Sequence, residues 1–311
     1  MGQTLETVIK ENGYTLHLVP SKKYKTITFV AKLKAPLTRE TITGRALLPF
    51  VLRQGTKKYP TRKDLQFKLD DLYGASLTLD GSKAGNYHVM STRMQIANQK
   101  YIQNESSIME EALKLLYEVL FNPNIQNKSF NDQTVDREKN TLLQHIRSIK
   151  DDKTQYAQKR LVETMCEGET YQIPAHGYEE DLKALSAEDL YSTYKGMIER
   201  DDLDLYILGD FDHDKMTTKV KEIFKERRAF KPSENIRETK HIDVNEPKKL
   251  IERDDVQQAK LHIGYRTNTR FQDEDYSALQ VFNGIFGGFS HSKLFINVRE
   301  KESLAYYAAS R

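Results

Sequence analysis

The sequence predicts an α+β fold: an antiparallel sheet with helices packed on one face, duplicated into two homologous halves of which the second is truncated. Three observations carry this. Strand signals come first, helical signals follow in blocks, and a strand ending at Gly209-Asp210 closes the unit. A charged stretch from about Arg228 to Lys249, holding Pro232 and Pro247 and little apolar periodicity, reads as a linker. After it the opening pattern begins again.

The first strands are Tyr14 to Pro20 and Thr26 to Ala35; in the second, Ile27, Phe29, Ala31 and Leu33 alternate with polar residues, as in a half-buried antiparallel strand. A helix from about Gly44 to Gln54 stops at Gly55. Another opens at Thr61 with Asp64 as its capping pair and carries Leu65, Leu69 and Leu72. Ser76 to Asp80 and Tyr87 to Met94 return to strand. Ser107 and Glu110 are read as the cap of a long helix bearing Leu113, Leu116 and Leu120, closed by Asn122-Pro123. Further helices cover about Asp132 to Ile149 and the residues after Ser186-x-x-Asp189, and Leu203 to Leu208 forms the closing strand.

In the second half Leu261, Ile263 and Tyr265 alternate as Ile27, Phe29 and Ala31 do. Helices Tyr276 to Phe286 and Ser290 to about Lys301 take the places of the Gly44 and Thr61 helices, and the strand from Leu304 matches Gly74 to Leu79. Leu69 then falls opposite Arg299, and Ser76 opposite Tyr306. The expected domains are 1–230, a linker at 231–249 and an incomplete second domain at 250–311. A second copy this short lacks the elements that would cover its sheet, so the expectation is a longer natural protein or a covering chain.

Composition excludes several function classes. Basic and acidic side chains number 48 and 45, for a net charge of +3 over 311 residues, and no basic stripe stands out that would suit nucleic acid. No apolar run approaches the ~20 residues of a membrane helix. The opening Met-Gly-Gln-Thr-Leu-Glu has no signal-peptide architecture. The lone cysteine, Cys166, is read as a packing residue in a reducing compartment, and cytoplasm is the expected location.

The Gly44 helix has apolar residues on every side: Ala46, Leu47, Leu48, Phe50, Val51 and Leu52. It reads as a buried structural helix. Pro49 in its interior removes a backbone donor and crowds the carbonyl one turn earlier, at about 3 kcal/mol. Of the eight histidines none pairs at helical i, i+4 spacing, so the sequence gives no support for a histidine metal site. Phe286-Gly-Gly-Phe289 lacks the Gly-Lys-Ser/Thr ending of a phosphate loop; its glycines are expected to end one helix and turn into the next.

Three stretches carry a resemblance: Gly44 through Gly55-Thr56 to Arg62 with Leu72-Tyr-Gly-Ala-Ser76, the helix opening Asp136-Arg-Glu-Lys-Asn-Thr-Leu-Leu143, and Phe286 through Tyr306. In order and spacing they resemble the insulinase/pitrilysin family of inverted-motif zinc peptidases. The resemblance is closest to short, two-halved bacterial members, including a group associated with elongation factor P modification. In active members of that family a His-x-x-Glu-His helix holds zinc through two histidines, the glutamate between them is general base, and a later glutamate is the third ligand. By the resemblance these positions are occupied here by Ala46, Pro49 and Phe50, with the later glutamate falling on His145; Glu138 matches another acidic position of the family. The chain is therefore expected to bind no metal or other cofactor and to be catalytically incompetent alone. His145 is read as a buried polar residue hydrogen-bonded to its neighbours.

The resemblance also implies retained features. Active relatives contribute an arginine, and a tyrosine seven residues later, to the substrate peptide and the tetrahedral intermediate; the matching residues are Arg299 and Tyr306, with Phe295 one turn before the arginine. Arginine suits a carbonyl or carboxylate, and a tyrosine hydroxyl can donate to an oxyanion. Equally open is a plain surface reading, with Arg299 paired to Glu300 or Glu302. The stretch Ser76, Leu77, Thr78, Leu79, Asp80 corresponds to the edge that pairs with substrate backbone in relatives. Together these imply a peptide-binding subunit of a heterodimer with a zinc-bearing homologous subunit, or a self-associating one. The alternative is a purely structural subunit.

Overall fold

The structure, a computed structural model, describes residues 6–102, 107–225, 246–267 and 269–311. They fall into two compact units. The first holds the described residues up to 225 together with 247–262; the second holds 263–311 together with Glu246. Residues 247–262, which the sequence reading divides between linker and second domain, thus lie with the first unit. The rest of the expected linker, 231–245, lies outside the described residues, as does His241.

The first unit is built on six strands: β1 (Thr7–Glu11), β2 (Tyr14–Pro20), β3 (Thr26–Pro36), β4 (Ser76–Ala84), β5 (Tyr87–Ala97) and β6 (Asp202–Gly209). Their spatial order is β1-β2-β6-β3-β5-β4. Every neighbouring pair is antiparallel except β2 and β6, which run parallel with Leu16 opposite Leu205 and Leu18 opposite Ile207. This corrects the expectation of a wholly antiparallel sheet. β2 and β3 run in opposite directions, and β6, arriving from far along the chain, slots between them antiparallel to β3, so it must run parallel to β2.

Alternation decides the faces. Leu16 and Leu18 of β2, Phe29, Ala31 and Leu33 of β3, Met90 and Met94 of β5 and Leu205 and Ile207 of β6 are buried on one side. Their neighbours lie on the other, Lys32 and Arg93 exposed and His17 and Tyr206 partly so. The helices of this unit, with α1, α3 and α7 among those packed directly on the sheet, are α1 (Ile42–Leu52), α2 (Arg62–Asp71), α3 (Ile108–Phe121), α4 (Asp132–Asp151), α5 (Lys153–Met165), α6 (Glu179–Ala184), α7 (Ala187–Arg200) and α8 (His213–Phe224). Of these, α5, α6 and α8, like strand β1, are elements the sequence reading does not pick out.

Helix α1 lies deepest, with Phe50 its one residue that is not fully buried. It ends at Leu52, short of the expected Gln54, and the chain turns at Gly55, where a Cβ would stand 2.4 Å from the Pro60 carbonyl oxygen, so no other residue fits the turn. The predicted capping boxes form at Thr61–Asp64 and Ser186–Asp189. Ser107 makes no side-chain cap bond; its ψ of 68° departs from the extended backbone that aims an N-cap oxygen at the helix. Glu110 and Glu111 in that first turn bind Lys114, Lys219 and Lys68 instead. Cys166 is buried, as a packing residue would be.

The second unit contains helix α9 (Tyr276–Asn283), which runs on as a π-helical turn over Gly284–Gly288, and a second π-helical segment, Phe295–Lys301. No strand occurs among its described residues. Leu261, Ile263 and Tyr265, predicted as a strand, are 82%, 65% and 78% exposed and enter no ladder. The segment from Leu304 to Ala309 is not a strand either. Its backbone turns back on the helices, Leu304 N–H donating to Val298 O at 2.9 Å and Ser310 N–H to Gly287 O at 3.1 Å. Alternation marks a strand only where a neighbouring strand takes its backbone groups, and none is present among the described residues. Gly287 permits the crossing, since a Cβ there would meet Ser310 at 2.5 Å.

Candidate functional site

The α1 positions that the sequence aligns with a metal motif carry a methyl group, a pyrrolidine ring and a benzyl group. Ala46 and Pro49 are buried and Phe50 is partly buried. None offers a ligand atom, so these residues do not fit a zinc ion. Pro49 lies inside the helix, which continues through it to Leu52, and leaves the Arg45 carbonyl without its usual i+4 donor.

The helix is nonetheless not purely apolar. Arg45, 5% exposed, reaches back from α1 to Asp201, the residue between α7 and β6, which is 2% exposed. Its Nη1 and Nη2 donate to the two carboxylate oxygens at 3.2 and 2.5 Å. Its Nε donates to Nδ1 of His88 at 3.1 Å. His88, in β5 and fully buried, must therefore carry its proton on Nε2, and that atom has no hydrogen-bond partner among the described residues. Burial, then the Arg45 charge, then His176 hold the imidazole down at a pKa of about 3, so it stays neutral. β4 passes close by at Gly81, where a Cβ would lie 3.0 Å from His88 Nε2 and 3.9 Å from Pro49. This buried cluster locks α1 to the sheet. Arg45 stands directly before Ala46, and the expectation of no polar face on this helix fails at that residue.

His145 on α4 is exposed, which corrects the reading of it as a buried residue: its position on the 20-residue helix faces solvent, while Val135, Glu138 and Leu142 form the buried side. It is not alone. Its Nε2 stands 3.3 Å from Nε2 of His176, with the two rings at 89°. Burial, and secondarily His145, lower the His176 pKa. His176 lies 31 residues further along the chain, in a loop, so helical spacing could not reveal the pair. Glu138 is buried and already engaged, its carboxylate 2.9 Å from Arg137 and 3.8 Å from Arg53. Among the described residues no group of three or more His, Cys, Asp or Glu side chains is placed to hold a metal ion.

Ser76 to Asp80 lie in β4, the terminal strand of the sheet, which pairs only with β5: Ser76 opposite Gln95, Asp80 opposite Ser91. Leu77 and Leu79 pack against the core while Ser76, Thr78 and Asp80 are exposed. Further along the strand Lys83 donates to the carbonyls of Tyr171 and Ile173 at 2.6 and 3.2 Å, tying β4 to the loop that carries His176.

In the second unit Arg299 lies over the Phe295 ring at 4.6 Å and its Nε is 3.5 Å from Glu300. This is the neighbour that the plain surface reading expects, and such an exposed pair contributes little. Tyr306 is 84% exposed.

Comparison with known proteins places the chain. It is 45% identical, over its full length and 72% of the relative's, to the "Probable inactive metalloprotease YmfF" of Bacillus subtilis. The chain belongs to the M16 peptidase family. Residues 184–311 match the family description "Peptidase M16 inactive domain". A conserved protein from Enterococcus faecalis superposes with a TM-score of 0.86 at 37% identity, over 99% of this chain and 72% of that one. An M16 inactive domain from Pseudomonas fluorescens shares the fold, with a TM-score of 0.70 at 16% identity over 98% of this chain and 70% of the other. An M16 chain without ligand atoms at its motif positions is metalloprotease-like and inactive, as both the matched family description and the Bacillus relative are named. None of these comparisons bears on elongation factor P. Among the described residues no helix is long and apolar enough to cross a membrane.

Proposed function

We propose that this M16 chain is a noncatalytic peptide-binding subunit, cytoplasmic, that pairs with a zinc-bearing homologous subunit and supplies substrate-binding residues to it. The observation that carries the reading is the contrast within the first unit. α1 has no ligand atom at Ala46, Pro49 or Phe50, whereas β4 still presents an edge whose outer backbone groups face no neighbouring strand. An edge of this kind can take an extended peptide as a further strand. Separately, Arg299, Phe295 and Tyr306 of the second unit would offer a cation and a hydroxyl in trans to the carbonyl of a peptide held by the zinc-bearing partner. This chain holds no cofactor of its own in the reaction. Elongation factor P modification forms no part of the proposal.

The second reading is a scaffold without catalytic contribution, favoured by the Arg299–Glu300 neighbour and the free exposure of Tyr306. Co-expression with zinc-bearing homologues from the same genome, followed by co-purification and a peptide-cleavage assay, separates the two. The peptide-binding subunit requires a stable complex whose turnover falls about a hundredfold or more in Arg299→Ala and in Tyr306→Phe, the range of lost oxyanion donors. A complex indifferent to both substitutions is the scaffold. No complex with any homologue, and no self-association, refutes both.

A further inference from the structure

The loop before α6 sets His176 against His145 of α4, and we propose that this imidazole pair is a surface binding site for a divalent transition-metal ion of the zinc class. His145 is the position onto which the resemblance puts the family's later zinc ligand, but His176 lies outside that pattern and no α1 residue takes part; the site is independent of the function proposed above. Two imidazole nitrogens, each about 2.05 Å from a tetrahedral ion, stand about 3.3 Å apart. The Nε2 atoms of His145 and His176 are 3.3 Å apart. A hydrogen bond between them would prefer a shorter separation, about 2.9–3.0 Å. The spacing is therefore that of two ligands on one metal edge.

Both ligands are held by rigid structure. His145 sits within a continuous helix. His176 is fixed from the following residues: Gly177 adopts φ +71° and lies so close to α1 that a Cβ would be 2.6 Å from Cα of Thr43. The next residue, Tyr178, donates its N–H to Thr43 Oγ1 at 3.1 Å. A second tie joins the same two elements two and three residues beyond the histidines. Arg147 of α4 binds Glu179 through both its Nε and Nη2, which pairs that guanidinium's charge. Side chains on such supports keep ligand geometry before the ion arrives. Among the described residues no third side-chain ligand joins them, so water completes the shell through the exposed side at His145. Two neutral imidazoles select zinc, nickel or copper over magnesium and calcium, which take oxygen ligands.

Isothermal titration of the full chain with Zn2+ tests this, with Co2+ absorption as a second readout of tetrahedral coordination. The expected result is one saturable ion per chain, not displaced by excess Mg2+. Affinity should fall at least about tenfold in His145→Ala and in His176→Ala, and stay unchanged in His213→Ala. His145 is exposed and His176 partly buried in its loop, and circular dichroism checks that each variant is folded. Absence of a saturable 1:1 site, or a site that survives both substitutions, overturns the proposal. Peptidase assays do not enter this test, so it stands or falls apart from subunit pairing.

Discussion

Removing the carboxylate of Asp201 should cost more stability than removing the whole ion pair to which it belongs. Arg45 and Asp201 are 5% and 2% exposed and joined by two bonds, at 3.2 and 2.5 Å. In Asp201→Leu the guanidinium remains buried without its bidentate partner, at a cost of about 3–5 kcal/mol. Arg45→Met leaves the carboxylate in the same position and should cost a similar amount. In the double variant no charge is left, and a buried pair replaced by apolar groups of similar volume is often close to neutral. The remaining loss is the Arg45 Nε–His88 Nδ1 bond, about 1–3 kcal/mol for an acceptor left unsatisfied. The coupling energy from the cycle should thus reach about 3 kcal/mol or more. Urea denaturation followed by far-ultraviolet circular dichroism, at matched m-values, measures all four corners. A single Asp201→Leu cost below about 1 kcal/mol, or a double variant as costly as the two singles together, would show that the pair does not anchor α1.

The same cluster makes the protein acid-sensitive. His88 is held at about 3 when folded, against 6.5 for the unfolded imidazole, so between those values the unfolded state binds the extra proton. The contribution is fully present above about pH 6.5 and is lost as pH falls, by up to about 1.4 kcal/mol per unit for this one group. In His88→Gln, whose amide oxygen can still accept from Arg45, urea midpoints between pH 4 and 7 should lose that part of the slope; an unchanged slope contradicts the assignment. Gly177→Ala should destabilise by about 1–3 kcal/mol, because its φ is +71° and the added methyl would sit 2.5 Å from Thr43 Oγ1. It should also weaken Zn2+ binding by moving His176. A thermal melt indistinguishable from wild type would show that the loop is not pinned as described.

Much of the first unit was legible because its signals are local. The alternation of Ile27, Phe29, Ala31 and Leu33, the capping pairs Thr61–Asp64 and Ser186–Asp189 and the turn at Gly55 each depend on residues a few positions apart. The α1 positions were legible for the same reason, since the absence of a ligand atom at Ala46, Pro49 and Phe50 is a matter of side-chain identity. Alternation misled at Leu261, Ile263 and Tyr265, where no partner strand receives the backbone. β1 and α5 went unread because their apolar pattern is weak: α5 buries no residue fully.

What the chain's sequence determined alone is which chemistry is missing from α1, the family whose pattern the chain keeps, and the approximate starts of most of its helices. Only the tertiary structure decided that β6 runs parallel to β2, that Arg45 meets Asp201 and His88 in the core, and that His145 meets His176 at the surface. Side-chain identity and short spacings are written along one dimension. Contacts such as Arg45 with Asp201, 156 residues apart, exist only once packing has closed the intervening chain around them.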